Sequence, residues 1–116
     1  MLRSSCSLEM CESDRGRTLT VYLSGEIDHH SAVRVRGEID AEIAAVRPKR
    51  TVLVLSEINF MDSSGLGLIM GRYQRMKEMG GELILRDPSE PIMRIFRLAG
   101  LEKIVRIEGG EKRDEA

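Results

Sequence analysis

Two short polar segments of the 116-residue chain hold residue types that could do chemistry: Asp28-His29-His30 and Asp62-Ser63-Ser64-Gly65-Leu66-Gly67. Serine, histidine and aspartate are the parts of a nucleophilic triad, so Ser63 with His29 or His30 and Asp28 is one combination to weigh. The residues around the serines argue against a nucleophile elbow, because Met61 and Asp62 stand where glycine should precede either serine. Gly65-Leu66-Gly67-Leu68-Ile69-Met70-Gly71 is spaced G-x-G-x-x-x-G, which departs from a dinucleotide fingerprint even though Asp87 follows about twenty residues on. A chain this short does not hold the two halves of a dinucleotide fold plus a substrate site. No Gly-Lys-Ser/Thr completes a phosphate loop. Cys6 and Cys11 have four residues between them, which is no zinc-type pair, and adjacent His29 and His30 point in different directions in regular structure. No metal, cofactor or catalytic residue is expected. The plainer role of both segments is helix capping: Asp62, Ser63 or Ser64 can accept from orphan amides with Gly65 allowing a tight turn, and Asp28 or Ser31 can do the same upstream.

Those segments must be held by the elements around them. Cys6, Leu8 and Met10 alternate, as do Leu19, Val21 and Leu23, across a turn at Ser13-Asp14-Arg15-Gly16-Arg17, which predicts a hairpin of half-buried strands. Ala32, Val35, Ile39, Ile43 and Val46 recur at steps of three or four and stop before Pro48, which predicts an amphipathic helix from Ser31. Val52-Leu53-Val54-Leu55 reads as a central strand covered on both sides. A second helix is expected from Ser64 to Met79, stopped by Gly80-Gly81, and then a strand from Glu82 to Arg86. A short helix through Ile92, Ile95, Phe96 and Ala99, closed by Gly100, and a last strand from Lys103 to Ile107 complete the pattern. The order β-β-α-β-α-β-α-β makes this an α/β domain, a mixed sheet in which a hairpin precedes right-handed crossovers with packed helices. The chemical segments then fall in two strand-to-helix loops at the carboxyl ends of neighbouring parallel strands, which should place the Asp28 loop beside the Ser63 loop.

Composition narrows the class. Hydrophobic residues make up 41% and charged residues 32%, enough apolar surface for one core. Aromatics are 3%, and 18 Lys plus Arg against 19 Asp plus Glu leave a net charge of −1, so neither base stacking nor a basic footprint for nucleic acid is expected. No apolar run approaches the roughly 18 residues of a membrane span and the start of the chain lacks a signal-peptide core, so the expected address is cytoplasmic, with the cysteines as free thiols and no membrane partner. Residues 1–108 are expected to form the domain, and 109–116, polar except for the terminal Ala, a frayed tail.

Taken together, Ser24-Gly25-Glu26-Ile27-Asp28-His29-His30, Phe60-Met61-Asp62-Ser63-Ser64-Gly65-Leu66-Gly67, Gly71-Arg72-Tyr73, Gly80-Gly81-Glu82 and Gly100-Leu101 resemble the STAS domain family over about residues 6–108. Within it the resemblance is to the bacterial anti-sigma factor antagonists, most of all the sporulation type. It implies a single STAS domain without enzymatic activity. Ser63 would be phosphorylated by a partner serine protein kinase, itself the anti-sigma factor, which carries the ATP or ADP. Asp62, Ser64 and Gly65 would shape the switch loop, and Glu26 and Asp28 would belong to the adjoining partner-binding surface. The unphosphorylated form would bind the anti-sigma factor and release the sigma factor, and a PP2C-type phosphatase would restore the serine. A STAS scaffold or sensor subunit in a larger assembly, or a small serine hydrolase, are the alternative readings. Val54 stands where the family often has Asp or Asn, which is expected to alter packing beneath the loop, and the polar tail leaves the family's final helix without an evident counterpart.

Overall fold

The computed structural model describes residues 5–13 and 16–110. The elements are β1 (Ser5–Ser13), β2 (Gly16–Ile27), α1 (His29–Val46), β3 (Arg50–Met61), α2 (Ser63–Glu78), β4 (Glu82–Arg86), α3 (Glu90–Ala99), a 3₁₀ turn (Leu101–Lys103) and β5 (Arg106–Glu108). This is the expected order. The tip of the hairpin turn, and the tail from residue 111, lie outside the described residues.

The sheet order is β1-β2-β3-β4-β5, with β1 antiparallel to β2 and every later pair parallel. Each crossover therefore moves one strand further in the same direction, and right-handed crossovers of that kind carry α1, α2 and α3 to one face. Side-chain parity agrees. Leu19, Val21 and Leu23 of β2, Leu53 and Leu55 of β3, and Leu83 and Leu85 of β4 form one buried cluster with Val35, Ile39 and Ile43 of α1, Ile69 and Met76 of α2, and Ile92 and Phe96 of α3. Leu8 and Met10 of β1 pack against its edge.

The central strand is thus covered by helices on one side only, contrary to the reading of its apolar run. On the other face Val52 and Ile84 are buried without joining the main cluster. Arg86, Arg106, Glu82 and Glu108 share that face and form ion pairs, at 3.0 Å across the strands for Arg86–Glu108 and at 2.9 Å within β5 for Arg106–Glu108, so their aliphatic stems supply cover that helices do not. Tyr22 and Val54, opposite one another in register, stay partly exposed there. Glu9 raises the Tyr22 phenol above its ordinary range by its charge, in a contact that also forms a 3.3 Å hydrogen bond.

The helices shift by one or two residues, α1 starting at His29 and α2 at Ser63, and two strand boundaries differ more. β3 runs six residues past Leu55 to Met61, pairing with Ser24–Ile27 of β2 through two register shifts. Polar Ser56, Glu57 and Asn59 hide that strand from a hydropathy reading, and Gly25, at φ 91°, supplies the left-handed backbone that its irregular stretch needs. Leu101–Lys103 forms a 3₁₀ turn, so β5 starts three residues late.

Candidate functional site

The extended carboxyl ends of β2 and β3 bring the two polar loops together. Ile27 pairs with Met61, and the Asp62 amide donates to the Ile27 carbonyl at 3.2 Å. Asp28 and Asp62 therefore sit side by side as the N-caps of α1 and α2, both in extended backbone.

At α1 the cap is reciprocal. The Ser31 amide donates to Asp28 Oδ1 at 3.0 Å, and the Asp28 amide donates to Ser31 Oγ at 2.9 Å. The Ser31 hydroxyl, nearly buried, donates to the Glu26 carbonyl at 2.9 Å, so it ties the end of β2 to the helix start. The Ser31 amide holds the Asp28 carboxyl below the usual carboxylate range, with help from the Ser31 hydroxyl and from His30. Sequence alone offers Ser31 only as an alternative cap to Asp28. The signal that finds its role is the Asp-x-x-Ser spacing, which sets its hydroxyl opposite the cap amide.

At α2 the arrangement is open. Asp62 Oδ1 accepts from the Ser64 amide at 2.8 Å and the Asp62 carbonyl accepts from the Gly65 amide at 2.9 Å. Ser63, the first helical residue, is exposed, and neither its hydroxyl nor its amide has a hydrogen-bond partner in the described structure. Ser64 is half-buried. Gly65 is buried and has no left-handed φ, so the tight-turn explanation for it is corrected: a Cβ there would run into Met61 Cγ and approach Ile27 Cγ2 to 3.2 Å. Glycine is required because the helix start lies directly on the ends of β2 and β3.

Among the sequence-derived candidates, Asp28, Asp62, Ser63, Ser64 and Gly65 meet in these two adjoining loops, and Glu26 lies at the end of β2 in register with half-exposed Phe60. Gly65 acts from beneath, by packing. Val54 is placed on the helix-free face and does not underlie the loop; Met61 and Ile27 do. The triad combination is not assembled. No hydrogen bond among the described residues joins Ser63 to either imidazole, the Asp28 carboxylate is taken by Ser31, and His29 and His30 stack edge to face at 5.7 Å. Among the described residues no three His, Cys, Asp or Glu side chains gather as a metal group, and no helix is long and apolar enough to cross a membrane. Cys11 is an exposed free thiol.

A largely buried ion pair that sequence reading missed links the two helices further along. Arg72 of α2 is buried to 7% exposure with Nε 3.0 Å from Asp40 Oδ1 of α1. Burial lowers the Arg72 guanidinium pKa, and the Asp40 carboxylate opposes that shift.

The model of the STAS domain matches residues 13–114. The chain belongs to the STAS domain family. It is 43% identical over 100 residues to the anti-sigma F factor antagonist of Paenibacillus polymyxa, covering 86% of this chain and 85% of that one. It is 34% identical over 96 residues to the anti-sigma-B factor antagonist of Bacillus subtilis (strain 168), covering 79% and 86%. Among solved structures it is similar to the anti-sigma factor antagonist SpoIIAA in its unphosphorylated form, with a TM-score of 0.75 at 30% identity, over 89% of this chain and 87% of the other. The phosphorylated form of the Bacillus cell fate determinant SpoIIAA matches with a TM-score of 0.68 at 30% identity, over 89% and 90%. The STAS domain thus has relatives named as anti-sigma factor antagonists, and one of them is known in both phosphorylation states.

Proposed function

We propose that this STAS domain is an anti-sigma factor antagonist switched at Ser63. Unphosphorylated, it binds an anti-sigma factor that is itself a serine kinase, and the sigma factor is released. The kinase then transfers phosphate: Ser63 Oγ forms a bond to the γ-phosphorus of ATP bound to the partner, the bond to the ADP oxygen breaks, and the serine proton goes to a base of the kinase. A PP2C-type phosphatase hydrolyses the ester and restores the hydroxyl. The domain itself is a binding module and not an enzyme.

The observation that carries this reading is the contrast between Ser63 and its neighbours. Its hydroxyl is exposed at the first position of α2 and has no hydrogen bond among the described residues, whereas Ser64 is half-buried and Ser31 is locked in a cap. A phosphate at Ser63 carries about −1.5 to −2 charge and meets the positive end of the helix dipole, worth about 0.3 to 1 kcal/mol in an exposed setting. That sign is stabilising and the size is too small to remodel the sheet. The loss falls on the complex, where a dianion must be desolvated against a surface made for a hydroxyl.

The test is intact-mass and site analysis after incubation with ATP and the candidate kinase. A single phosphate on Ser63, absent in Ser63→Ala, is expected; phosphate on Ser64 alone would refute the assignment. The purified domain alone should neither hydrolyse nor tightly bind ATP, since it has no phosphate loop. Turnover that survives Ser63→Ala and re-purification would overturn the binding-module reading.

A further inference from the structure

A groove of about 290 Å³ opens between the amino-terminal halves of α1 and α2, beside the switch loop. Ala32 and Leu68 form its nearly buried floor, and Val33, 51% exposed, stands at its side. Gly67 lies in the same wall, in the first two turns of a helix where glycine is disfavoured relative to alanine. The fold gives no return for that glycine, because a Cβ built there meets no atom within 4 Å and its φ is not left-handed. What the missing side chain leaves is space open to an approaching molecule.

The groove carries one charged group. Arg36 lines it beside the His29 imidazole, and among the described residues no acidic side chain does. Arg36 has no ion-pair partner among the described residues, although Arg34 on the same helix reaches Glu38. Ser64 stands at the mouth, next in the chain to Ser63, so the groove continues the surface on which the switch residue lies.

We infer that this groove, and not the switch loop alone, selects the anti-sigma partner: it takes a segment of that protein that lays an apolar side chain over Gly67, between Val33 and Leu68, and sets a carboxylate against Arg36. The inference rests on the anti-sigma reading given above. It also gives the switch a second means of action. A phosphate on Ser63 brings negative charge to the mouth of the groove, where it repels the partner's carboxylate and competes with it for the basic rim.

The experiment is calorimetric titration of the intact domain with the nucleotide-loaded anti-sigma factor, alongside thermal melts. Gly67→Leu should weaken binding at least tenfold with an unchanged or raised melting temperature, because leucine favours helix and the space is open. Arg36→Glu should weaken binding at least tenfold and Arg36→Lys should restore most of it, which a purely structural role on an exposed position would not produce. Gly67→Leu and Arg36→Glu proteins that bind like the wild type overturn the groove. If they do so while phosphorylation of Ser63 still weakens the complex, the switch reading stands without the groove; if the unmodified wild type fails to bind at all, both fall.

Discussion

The starts of α1 and α2 are built from the same parts and do opposite things with them. Each follows a buried residue at a strand end, Ile27 or Met61, and each is capped by an aspartate in extended backbone with serine close behind. In α1 the serine is at the third helical position, from which its hydroxyl reaches back to the cap amide and the Glu26 carbonyl. In α2 the serines occupy the first two positions and the third is Gly65, so no side chain can reach back, and the Ser63 hydroxyl faces solvent. The offset of a serine within the first turn decides whether it is a structural fastener or a group available for modification.

Phosphorylation gives the largest effect expected from this contrast. Modified at Ser63, the domain should keep its backbone and melting temperature while affinity for the anti-sigma partner falls a hundredfold or more, equivalent to about 2.8 kcal/mol. Amide exchange and calorimetry on both forms would check it. Widespread loss of protection in the phosphorylated form would mean that the open cap is not tolerant of charge, and that the switch acts by unfolding.

The packing beneath the open cap comes next. Gly65→Ala forces a methyl against Met61 and Ile27, and overpacking of that kind costs about 1–3 kcal/mol. Made in a Met61→Ala background, which is itself destabilised by the lost side chain, Gly65→Ala should cost less, because the truncation makes room. A Gly65→Ala protein with wild-type urea midpoint would show that the helix start can shift at no cost, and that the two loops are less tightly joined than their contacts imply.

The serines themselves then separate the two caps. Ser31→Ala removes a nearly buried hydroxyl and leaves the Asp28 amide and the Glu26 carbonyl without it, a loss of roughly 1–3 kcal/mol. Ser63→Ala removes an exposed hydroxyl with no partner among the described residues and should stay within about 0.5 kcal/mol of the wild type, as exposed substitutions do. Equal unfolding midpoints for the two variants would erase the distinction between a closed and an open cap.

Much of this frame is legible in the sequence. Alternation and three-four spacing place the hairpin, the helices and β4, because those patterns report directly which residues meet the core. The positions of Asp28 and Asp62 as caps, and the nearness of the two loops, follow from strand-to-helix order in a parallel sheet. What stays hidden is tertiary. The far half of β3 pairs only with β2 and is lined with Ser56, Glu57 and Asn59, so no apolar run announces it. The apolar Val52-Leu53-Val54-Leu55 run reads as covered on both sides because hydropathy does not distinguish a helix from a layer of paired arginines and glutamates as cover. Gly65 looks like a turn glycine, whereas its reason is a close approach by Met61, a residue whose position follows from the same unseen half-strand. The Arg72–Asp40 pair joins two helices at 3.0 Å and leaves no local mark on either.

The smallest effect distinguishes the closed cap by its proton. Because the Ser31 amide, the Ser31 hydroxyl and His30 hold the Asp28 carboxyl below its ordinary range, the folded domain binds that proton less readily than the unfolded chain does. The contribution is therefore fully present above the ordinary carboxylate value, about 3.9, and is lost as pH falls through the lower folded value. Asn caps a helix about as well as Asp but does not titrate in this range. The urea midpoint of Asp28→Asn should accordingly fall less steeply than that of the wild type on acidification from about pH 5 to pH 3, with the two nearest each other at the acid end. Ser31→Ala, which removes the hydroxyl but keeps the amide, should give a slope between them. Parallel curves for the wild type and Asp28→Asn would mean that Asp28 protonates alike in the folded and unfolded chains, and the reciprocal cap would lose its claim to be the more tightly closed of the two.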